Sequence, residues 1–404
     1  MSGPLAGLRI FDLTRILAGP TATQVLGDLG ADVIKIERTG HGDDTRKWGP
    51  PYLKDQAGRD TSESAYYLAA NRNKRSVTID LERPEGQALA RRLIARSDVL
   101  FENFKVGGLA KYGLAYDQLK DEFPGLIYCS LTGFGQTGPY ASRAGYDLLA
   151  QAMGGLLSIT GERDGPPVKV GVGIADLVTG LYCVAAILAA LHHRHQTGLG
   201  QHIDLALLDS QVSFLVNEGL NHLIGGMIPK AWGTEHATIV PYGAFPTADG
   251  HVILAIGNDG QFRKFCAFAG APALADDARF QTNKDRVLNR DAINAAIRDL
   301  TRRQTTAYWV DSLAPLGVPC GPVNRIDQVF RDPQVLARGM KIEMDHPKAG
   351  GPIPLIGSPI RLSKTPVEYR RAPPTLGQHT NEVLRELLDM DDAEIARLRE
   401  AGVI

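Results

Sequence analysis

The sequence is poor in cysteine, with only four in 404 residues, at Cys129, Cys183, Cys266 and Cys320. None forms a CxxC pair, and their wide spacing offers no zinc framework, so we expect reduced thiols and no metal site. No apolar run approaches the roughly 18 residues needed to span a bilayer. The first residues also lack a charged-then-apolar signal pattern. We therefore expect a cytoplasmic protein with no membrane partner.

An excess of one charge is also missing, because 44 Lys and Arg face 45 Asp and Glu and the formal net charge is -1. Such a chain has no bulk attraction for nucleic acid, so no nucleic-acid partner is expected. Nucleotide-binding motifs are absent as well. There is no Walker sequence and no GxSxG elbow, and the turn at Arg15–Pro20 lacks the three spaced glycines of a dinucleotide site.

Strand and helix patterns alternate through the first half of the chain. The strand pattern at Leu8–Leu13, the helix pattern at Thr21–Leu29 and the strand pattern at Asp32–Glu37 make one βαβ unit, and the alternation continues to Leu131. This predicts an α/β fold with a Rossmann-like large domain over residues 1–200, completed by residues 330–404. A linker helix is expected over residues 201–227 and a smaller α/β domain over residues 228–325. The stretch rich in glycine and proline over residues 347–374 predicts an irregular connector. Ligands of such sheets bind beyond the carboxyl ends of the strands.

Three features of the sequence are candidates for a binding or catalytic site. Asp176 follows small residues and precedes a long apolar helix pattern, so it is a helix N-cap, an acid facing the crevice, or both; on spacing alone the N-cap is favoured. The basic run Asn71–Arg75 fits a solvated surface turn and a phosphate contact equally well. Arg38, at the carboxyl end of the second predicted strand, is better placed for phosphate.

Ten motifs, in this order, resemble those of the family III CoA-transferases, and the resemblance covers nearly the whole chain. They lie at Leu8–Pro20, Gly27–Arg38, Gly42–Trp48, Asn71–Ser76, Phe101–Phe104, Tyr128–Pro139, Gly145–Asp147, Gly173–Gly180, Gly317–Val323 and Leu376–Thr380. The resemblance implies an interlocked homodimer. It also implies coenzyme A and acyl-CoA as substrates, with no cofactor bound permanently.

The resemblance further implies the roles of individual residues. The family's nucleophilic aspartate falls on Asp176. The coenzyme A pocket falls on Leu17, Ala18, Arg38, Ile79, Asp80, Leu81, Asn103, Phe104, Lys105, Lys111, Tyr146 and Asp147. Lys111 stands where formyl-CoA transferase has Arg, which keeps the charge but loses the planar fork.

The substrate acids are implied by the same resemblance. Leu17 replaces a glutamine of formyl-CoA transferase and that enzyme's tetraglycine loop is missing, which disfavours oxalate. The segments Trp232–Tyr242 and Gly42–Pro51 are most similar to the branch that uses succinyl-CoA and glutarate, although related enzymes use malate, citramalate, mesaconate or itaconate. A dicarboxylate needs a cation for its distal carboxylate, and the unranked candidate contacts are Arg15, Arg46, Trp48, Arg72, Trp232 and His236.

Two other functions compete with CoA transfer. An acyl-CoA racemase of the same fold needs a catalytic histidine near residue 150 as base. The chain has no histidine between His41 and His192, which argues against this function. A non-catalytic protein that only binds coenzyme A would tolerate loss of Asp176, and the presence of this residue argues against that alternative.

Overall fold

The computed structural model describes residues 3–404. The chain divides into two compact units. Unit 1 contains residues 3–156, Val170–Ile224 and Leu336–Ile404, and unit 2 contains Leu157–Lys169 and Gly225–Val335. Unit 1 therefore consists of three separate stretches of chain, and unit 2 of two.

The strands within residues 3–404 are β1 (Arg9–Asp12), β2 (Asp32–Glu37), β3 (Tyr52–Lys54), β4 (Asp60–Ser64), β5 (Lys74–Thr78), β6 (Val99–Glu102), β7 (Ile127–Thr132), β8 (His202–Ala206), β9 (Tyr242–Pro246), β10 (His251–Ala255), β11 (Cys320–Pro322), β12 (Lys341–His346) and β13 (Gly351–Ile356). The α-helices are α1 (Ala18–Asp28), α2 (Ala65–Ala69), α3 (Pro84–Ile94), α4 (Tyr116–Leu119), α5 (Asp147–Met153), α6 (Ile174–Thr197), α7 (Leu207–Ser213), α8 (Val216–Gly225), α9 (Asp259–Phe268), α10 (Ala273–Asp276), α11 (Asn283–Leu288), α12 (Arg290–Thr301), α13 (Thr306–Leu313), α14 (Ile326–Val329), α15 (Pro333–Ala337), α16 (Thr380–Leu388) and α17 (Asp392–Glu400). Short 3₁₀ turns lie at Asp44–Lys47, Ala110–Tyr112, Leu156–Ile159 and Ala314–Leu316.

A six-stranded parallel sheet forms the centre of unit 1, with the strand order β5-β2-β1-β6-β7-β8. This order is that of the Rossmann fold, and it reverses direction between β1 and β6. The crevice beyond the carboxyl ends of these two strands is therefore the expected ligand site. The predicted α/β fold with a parallel sheet is confirmed.

The central strands of the parallel sheet carry apolar side chains on both faces. Ile10 and Val33 pack into one core cluster, whereas their chain neighbours Phe11 and Ile34 pack into the cluster on the opposite face. Side chains alternate between the two faces of a strand, so a strand covered on both sides reads as a continuous apolar run. Helices cover both faces, as such a sequence requires.

Helix α6 corrects one expectation from the sequence. It has 24 residues, and its most apolar stretch of 18 residues has a mean hydropathy of 2.1. By length and composition alone it could therefore cross a membrane, although no sufficiently long apolar run was expected. In unit 1 it packs against α1, α5 and α7, and buries one side that includes Cys183 and Ile187. A helix that contributes to the core of a folded unit meets the same criteria of length and composition.

Two predicted segments differ from the structure. Residues 201–227 are not one linker helix, because His202–Ala206 form β8, the edge strand of the sheet, before α7 and α8. The alternating Ile203 and Leu205 pack against the core there, which favours a strand over a helix. The predicted irregular connector over residues 347–374 likewise contains β13, which pairs with β12 in a hairpin.

Unit 2 has its own core. An antiparallel sheet of order β11-β10-β9 packs with α9, α12 and α13 around buried aromatic side chains that include Phe245, Phe265 and Trp309. Arg286 is fully buried in this unit and its guanidinium contacts Asp259 at 2.8 Å. Unit 2 is thus a small α/β unit whose sheet is antiparallel, whereas the sheet at the centre of unit 1 is parallel.

Candidate active site

A cavity of about 170 Å³ opens in unit 1 beyond the carboxyl ends of β1 and β6, at the point where the strand order reverses. Its walls come from the β1–α1 loop, the loop after β6, the segment before α5 and the first turn of α6. The lining residues include Arg15, Ile16, Leu17, Ala18, Asn103, Phe104, Lys105, Arg143, Tyr146 and Asp176. The sequence predicted a ligand site at this edge, and six of the twelve residues predicted for the coenzyme A pocket line this cavity.

Asp176 lies in the first turn of α6, facing the start of α1. The N-cap of α6 is Gly173, so Asp176 is the third helical residue and the N-cap interpretation is wrong. Glycines explain the close approach of the two helices. A Cβ on Gly180 would lie 2.6 Å from the carbonyl oxygen of Ala18, and a Cβ on Gly173 would lie 3.0 Å from the side chain of Leu17. Because Asp176 and Gly180 are four residues apart, they share the helix face that meets α1.

The first amides of α6 are capped by Asp147, from another helix. Its Oδ1 accepts hydrogen bonds from the backbone N–H of Ala175 at 2.9 Å and of Asp176 at 3.3 Å. Its Oδ2 accepts from Nε2 of Gln151 at 2.7 Å. A carboxylate at this place accepts hydrogen bonds from amides that have no partner within the helix. The positive end of the helix dipole also stabilises its negative charge. Asp147 thus positions the turn that carries Asp176, and it does not itself line the cavity.

The carboxyl group of Asp176 is buried without a compensating cation. Asp176 is 8% exposed, and its carboxylate forms no salt bridge within residues 3–404. Burial, and secondly the negative charge of Asp147, raise the pKa of Asp176 from 3.8 to about 7. A poorly solvated carboxylate whose pKa lies near neutrality is a better nucleophile than one in water, and such shifted groups cluster at functional sites.

A second cavity, of about 360 Å³, shares Arg15 and Phe104 with the first. It is lined by Arg38, Ile79, Asp80 and Leu81, together with residues of the loop after β2. The exposed Arg38 supplies a cation at this end, and Ile79 and Leu81 supply apolar surface. Together the two cavities offer a ligand the cation of Arg38, the apolar surface of Ile79 and Leu81, and the buried acid Asp176.

The sequence profile of CoA-transferase family III matches residues 5–380. The chain belongs to this family. It is similar to the succinate–glutarate CoA-transferase of Agrobacterium fabrum, with 51% identity over 384 residues, 95% of this chain and 96% of that protein. The human succinyl-CoA:glutarate CoA-transferase is 46% identical over 401 residues, 99% of this chain and 90% of that protein. A crystal structure of a CAIB/BAIF family protein from Brucella suis superposes with a TM-score of 0.85 at 48% identity, covering 96% of this chain and all of that one.

This family III CoA-transferase is therefore an enzyme that transfers CoA. Lys111 and Asp147 are the two predicted coenzyme A contacts that line neither cavity. Asp147 caps α6, and Lys111 lies at the edge of the larger cavity. Its ammonium lies 3.1 Å from Glu82 and over the ring of Tyr112, two residues that line the larger cavity. The sequence located the right segment, but the cation of Lys111 is directed to a neighbouring carboxylate.

Two arginines proposed as anchors for a substrate carboxylate are buried in ion pairs of the CoA-transferase fold. Arg46 is 6% exposed, and its guanidinium contacts Glu37 and Glu63, each at 2.7 Å. Arg72 contacts Asp28 at 2.6 Å and donates to the carbonyl oxygen of Ile356 at 2.7 Å. These hydrogen bonds occupy both guanidinium groups, and neither arginine lines the cavity of Asp176.

The whole basic run is buried as well. Lys74 and Arg75 lie in β5, where the Nζ of Lys74 donates to the carbonyl oxygen of Pro20 at 2.9 Å and Arg75 pairs with Asp32. Neither the solvated turn nor the phosphate contact describes these residues. A cation can be fully buried when carboxylates or carbonyl oxygens satisfy it, and the partners here come from elements distant in sequence.

Tyr66, on α2, lines neither cavity but lies close enough to Asp176 for the charge of that residue to act on it. Burial and the charges of Asp176, Asp147 and Asp43 raise its pKa. Its ring packs edge-on against Trp48, with ring centroids 5.1 Å apart. Trp48 is 43% exposed and was predicted as a substrate contact. Tyr66 belongs to none of the family motifs, so the sequence did not indicate it.

The cations of the Asp176 cavity are Arg15, Lys105 and Arg143. Arg15 was predicted, and its guanidinium lies 3.3 Å from Asp44 and stacks over Phe104. Arg143 was missed. Its guanidinium stacks on the ring of Tyr140 at 3.8 Å and has no carboxylate partner within residues 3–404. Arg143 lies between the motifs Tyr128–Pro139 and Gly145–Asp147 and belongs to neither, so the motifs did not indicate it.

Trp232 and His236 belong to unit 2. The ring of Trp232 has Arg163, Lys230 and Arg290 within 5.2 Å of its centroid. The Nδ1 of His236 accepts from the backbone N–H of Thr238 at 3.1 Å. Their predicted contact with substrate stays a prediction.

Proposed function

We propose that this enzyme moves CoA from succinyl-CoA to glutarate through acyl intermediates on Asp176. The observation that carries the proposal is a buried carboxyl group with no cation partner in the described chain, at the end of a cleft suited to a long thioester. The names of the two relatives at 51% and 46% identity support the choice of acids. Malate, citramalate, mesaconate and itaconate remain the competing acceptors to test.

In the proposed chemistry the carboxylate of Asp176 is the nucleophile of the first step and the leaving group of the last. It attacks the thioester carbonyl of succinyl-CoA, the C–S bond breaks, and a mixed anhydride and CoA thiolate form. The thiolate attacks the aspartyl carbonyl, which releases succinate and leaves CoA bound to Asp176 as a thioester. Glutarate then attacks this thioester and displaces the thiolate. The thiolate finally attacks the glutaryl carbonyl of the new anhydride, which forms glutaryl-CoA and regenerates the carboxylate of Asp176. Covalent catalysis of this kind divides one difficult step into easier ones.

The distal carboxylate of glutarate requires a cation, and we propose Arg143 for this role. Arg15 already pairs with Asp44, whereas Arg143 lines the cavity with only an aromatic contact at its guanidinium. A guanidinium binds a carboxylate through two parallel hydrogen bonds. Lys105, Tyr146, Leu17 and Ala18 are left to contact the acyl-thioester portion of the substrate. No permanently bound cofactor is needed for any of these steps.

We propose that the enzyme works as an interlocked homodimer. Large apolar side chains on the outer surface of unit 1 are exposed, among them Leu181 and Leu188 on α6 and Leu220, Leu223 and Ile224 on α8. A second copy of the chain is the occupant that the family resemblance implies, and contiguous exposed apolar surface is typical of interfaces. An active, stable monomer in sedimentation at high dilution would contradict this. The four cysteines form no disulfide within residues 3–404 and three of them are buried, which fits our further proposal of a cytoplasmic location.

Trapping the covalent intermediate tests the proposed reaction. Mass spectrometry of the enzyme mixed with succinyl-CoA alone should find CoA attached to Asp176. Asp176→Ala should carry no adduct and have no transfer activity. Asp209 is the matched control, since it is the third residue of α7 as Asp176 is of α6, but is exposed. Asp209→Ala should keep adduct and activity. Near-normal turnover of Asp176→Ala would eliminate the proposal.

Kinetics with acceptor acids test the choice of substrate. Glutarate should exceed butyrate in kcat/KM by about 100-fold or more, because butyrate leaves the cation of Arg143 unpaired. Arg143→Gln should raise the KM for glutarate while leaving butyrate almost unaffected. Equal efficiency of glutarate and butyrate would end the dicarboxylate proposal and leave CoA transfer intact.

A further inference from the structure

The turn between β1 and α1 holds a conformation that its sequence disfavours. Ile16 has a φ of 73°, in the left-handed region, and it lines the cavity of Asp176. A branched β-carbon clashes with the backbone in this region, so such a residue is an outlier that persists only when its surroundings determine it. The conformation of Ile16 must therefore be held by the residues around it.

Hydrogen bonds from side chains hold the backbone on the N-terminal side of this turn. Thr14 donates its N–H to Asp12 at 2.9 Å, and its carbonyl oxygen accepts from Nζ of Lys35 at 2.9 Å. Ile16 donates its N–H to Oδ1 of Asp43 at 3.3 Å. Asp43 and Lys35 are joined at 2.8 Å and both side chains are 0% exposed. The ion pair is thus a rigid support beneath the turn.

Asn103 holds the peptide units on either side of Arg15. Its Oδ1 accepts from the N–H of Arg15 at 3.0 Å and its Nδ2 donates to the carbonyl oxygen of Arg15 at 2.8 Å. This double contact uses both polar atoms of the side chain. Asn103 comes from the loop after β6, so it ties together the two loops that meet where the strand order reverses.

The turn leads directly into the first amides of α1. Neither the N–H of Leu17 nor that of Ala18 has a hydrogen-bond partner within residues 3–404. Both residues line the cavity opposite Asp176, at the positive end of α1. Preorganised amides of this kind stabilise the oxyanion of a tetrahedral intermediate, and their effect depends on their position to within about an ångström.

We infer that Asn103 and Asp43 are positioning residues, which hold the strained turn at Ile16 so that the amides of Leu17 and Ala18 face the carbonyl oxygen of the acyl group bound to Asp176. This rests on the proposed function of Asp176. It also gives Asn103 a role different from the direct contact with coenzyme A that the family resemblance implies. Asn103 acts on the turn, and the turn acts on the substrate.

The inference predicts a specific pattern of kinetics and rescue. Asn103→Leu should lower kcat about 10- to 100-fold and leave the KM for succinyl-CoA within about twofold, because the amides move while the binding surface remains. Ile16→Gly in the same protein should restore at least about tenfold, since glycine adopts a positive φ without strain. Ile16→Ala is the matched control. It also removes the large side chain but keeps the β-carbon, so it should restore little.

A different pattern would overturn the inference. If Asn103→Leu raises the KM for succinyl-CoA and leaves kcat unchanged, Asn103 is a direct ligand contact. If Ile16→Gly and Ile16→Ala rescue equally, strain at residue 16 is not the cause. Should Asn103→Leu fail to fold, Asn103→Asp gives the same test, because it loses the donor to Arg15. Trapping of CoA on wild-type Asp176 is measured in parallel, so that failure of the proposed function is recognised separately.

Discussion

Replacing Asp176 by asparagine should stabilise the protein above neutral pH while abolishing transfer. The pKa of Asp176 is raised from 3.8 to about 7 in the folded chain. Between these values the folded state binds more protons than the unfolded state, so the stability falls as the pH rises through this window. A shift of about three pKa units corresponds to about 4 kcal/mol once the group is ionised in both states. Asp176→Asn removes this cost and keeps the shape of the side chain.

Urea unfolding of wild type and variant between pH 4 and pH 8 measures the effect. The difference in free energy of unfolding should be near zero at pH 4 and grow to as much as about 4 kcal/mol at pH 8. Protein concentration is held constant, because association adds to apparent stability. Asp209→Asn, at an exposed position in α7, should show no such trend. A difference that does not depend on pH, or a variant less stable than wild type at pH 8, would refute the reasoning.

Three further predictions follow from the contacts around the site. Asp147→Asn should move the inflection of kcat/KM against pH below about 7 but keep it above 3.8, because it removes the smaller of two causes that raise the pKa of Asp176; rates from pH 5 to 9 measure this. Arg72→Ala should lower the free energy of unfolding by about 3–5 kcal/mol, since Asp28 stays buried without its partner, and urea unfolding should show the loss. Gly180→Ala should lower kcat in the transfer assay, because its new β-carbon would lie 2.6 Å from a carbonyl oxygen of α1 and push that helix away.

The fold could be predicted from the sequence where strands are buried on both faces. Such strands are compact apolar runs ended by glycine or a charged residue, as at Asp32–Glu37, and the predicted bounds match β2. The prediction failed for β8 and β13, which lie at a sheet edge and in a two-stranded hairpin. Their short alternating patterns carry less information than a doubly buried run.

The site could be predicted only in part, because residues distant in sequence position its acid and decide which cations are already paired. The capping of α6 by Asp147 joins positions 28 and 29 residues apart, which no local pattern reveals. Arg72 reads as an exposed cation until Asp28, 44 residues earlier, is placed beside it. The family motifs predicted Asp176 and residues that line the cleft, whereas Arg143 lies outside every motif and was not predicted.

The discontinuous construction of unit 1 has a consequence for how the chain folds. The sheet-edge strand β5 is covered by the stretch before and within α16, where the N–H of Ser76 donates to His379 and that of Thr78 to Thr380, across 303 and 302 residues. Contacts of such long range are slow to form. During synthesis on the ribosome, β5 must therefore wait, with its outer edge open, until the whole of unit 2 and residues up to 380 have emerged. An open strand edge is an aggregation hazard, so we expect the nascent chain to depend on chaperones during this interval.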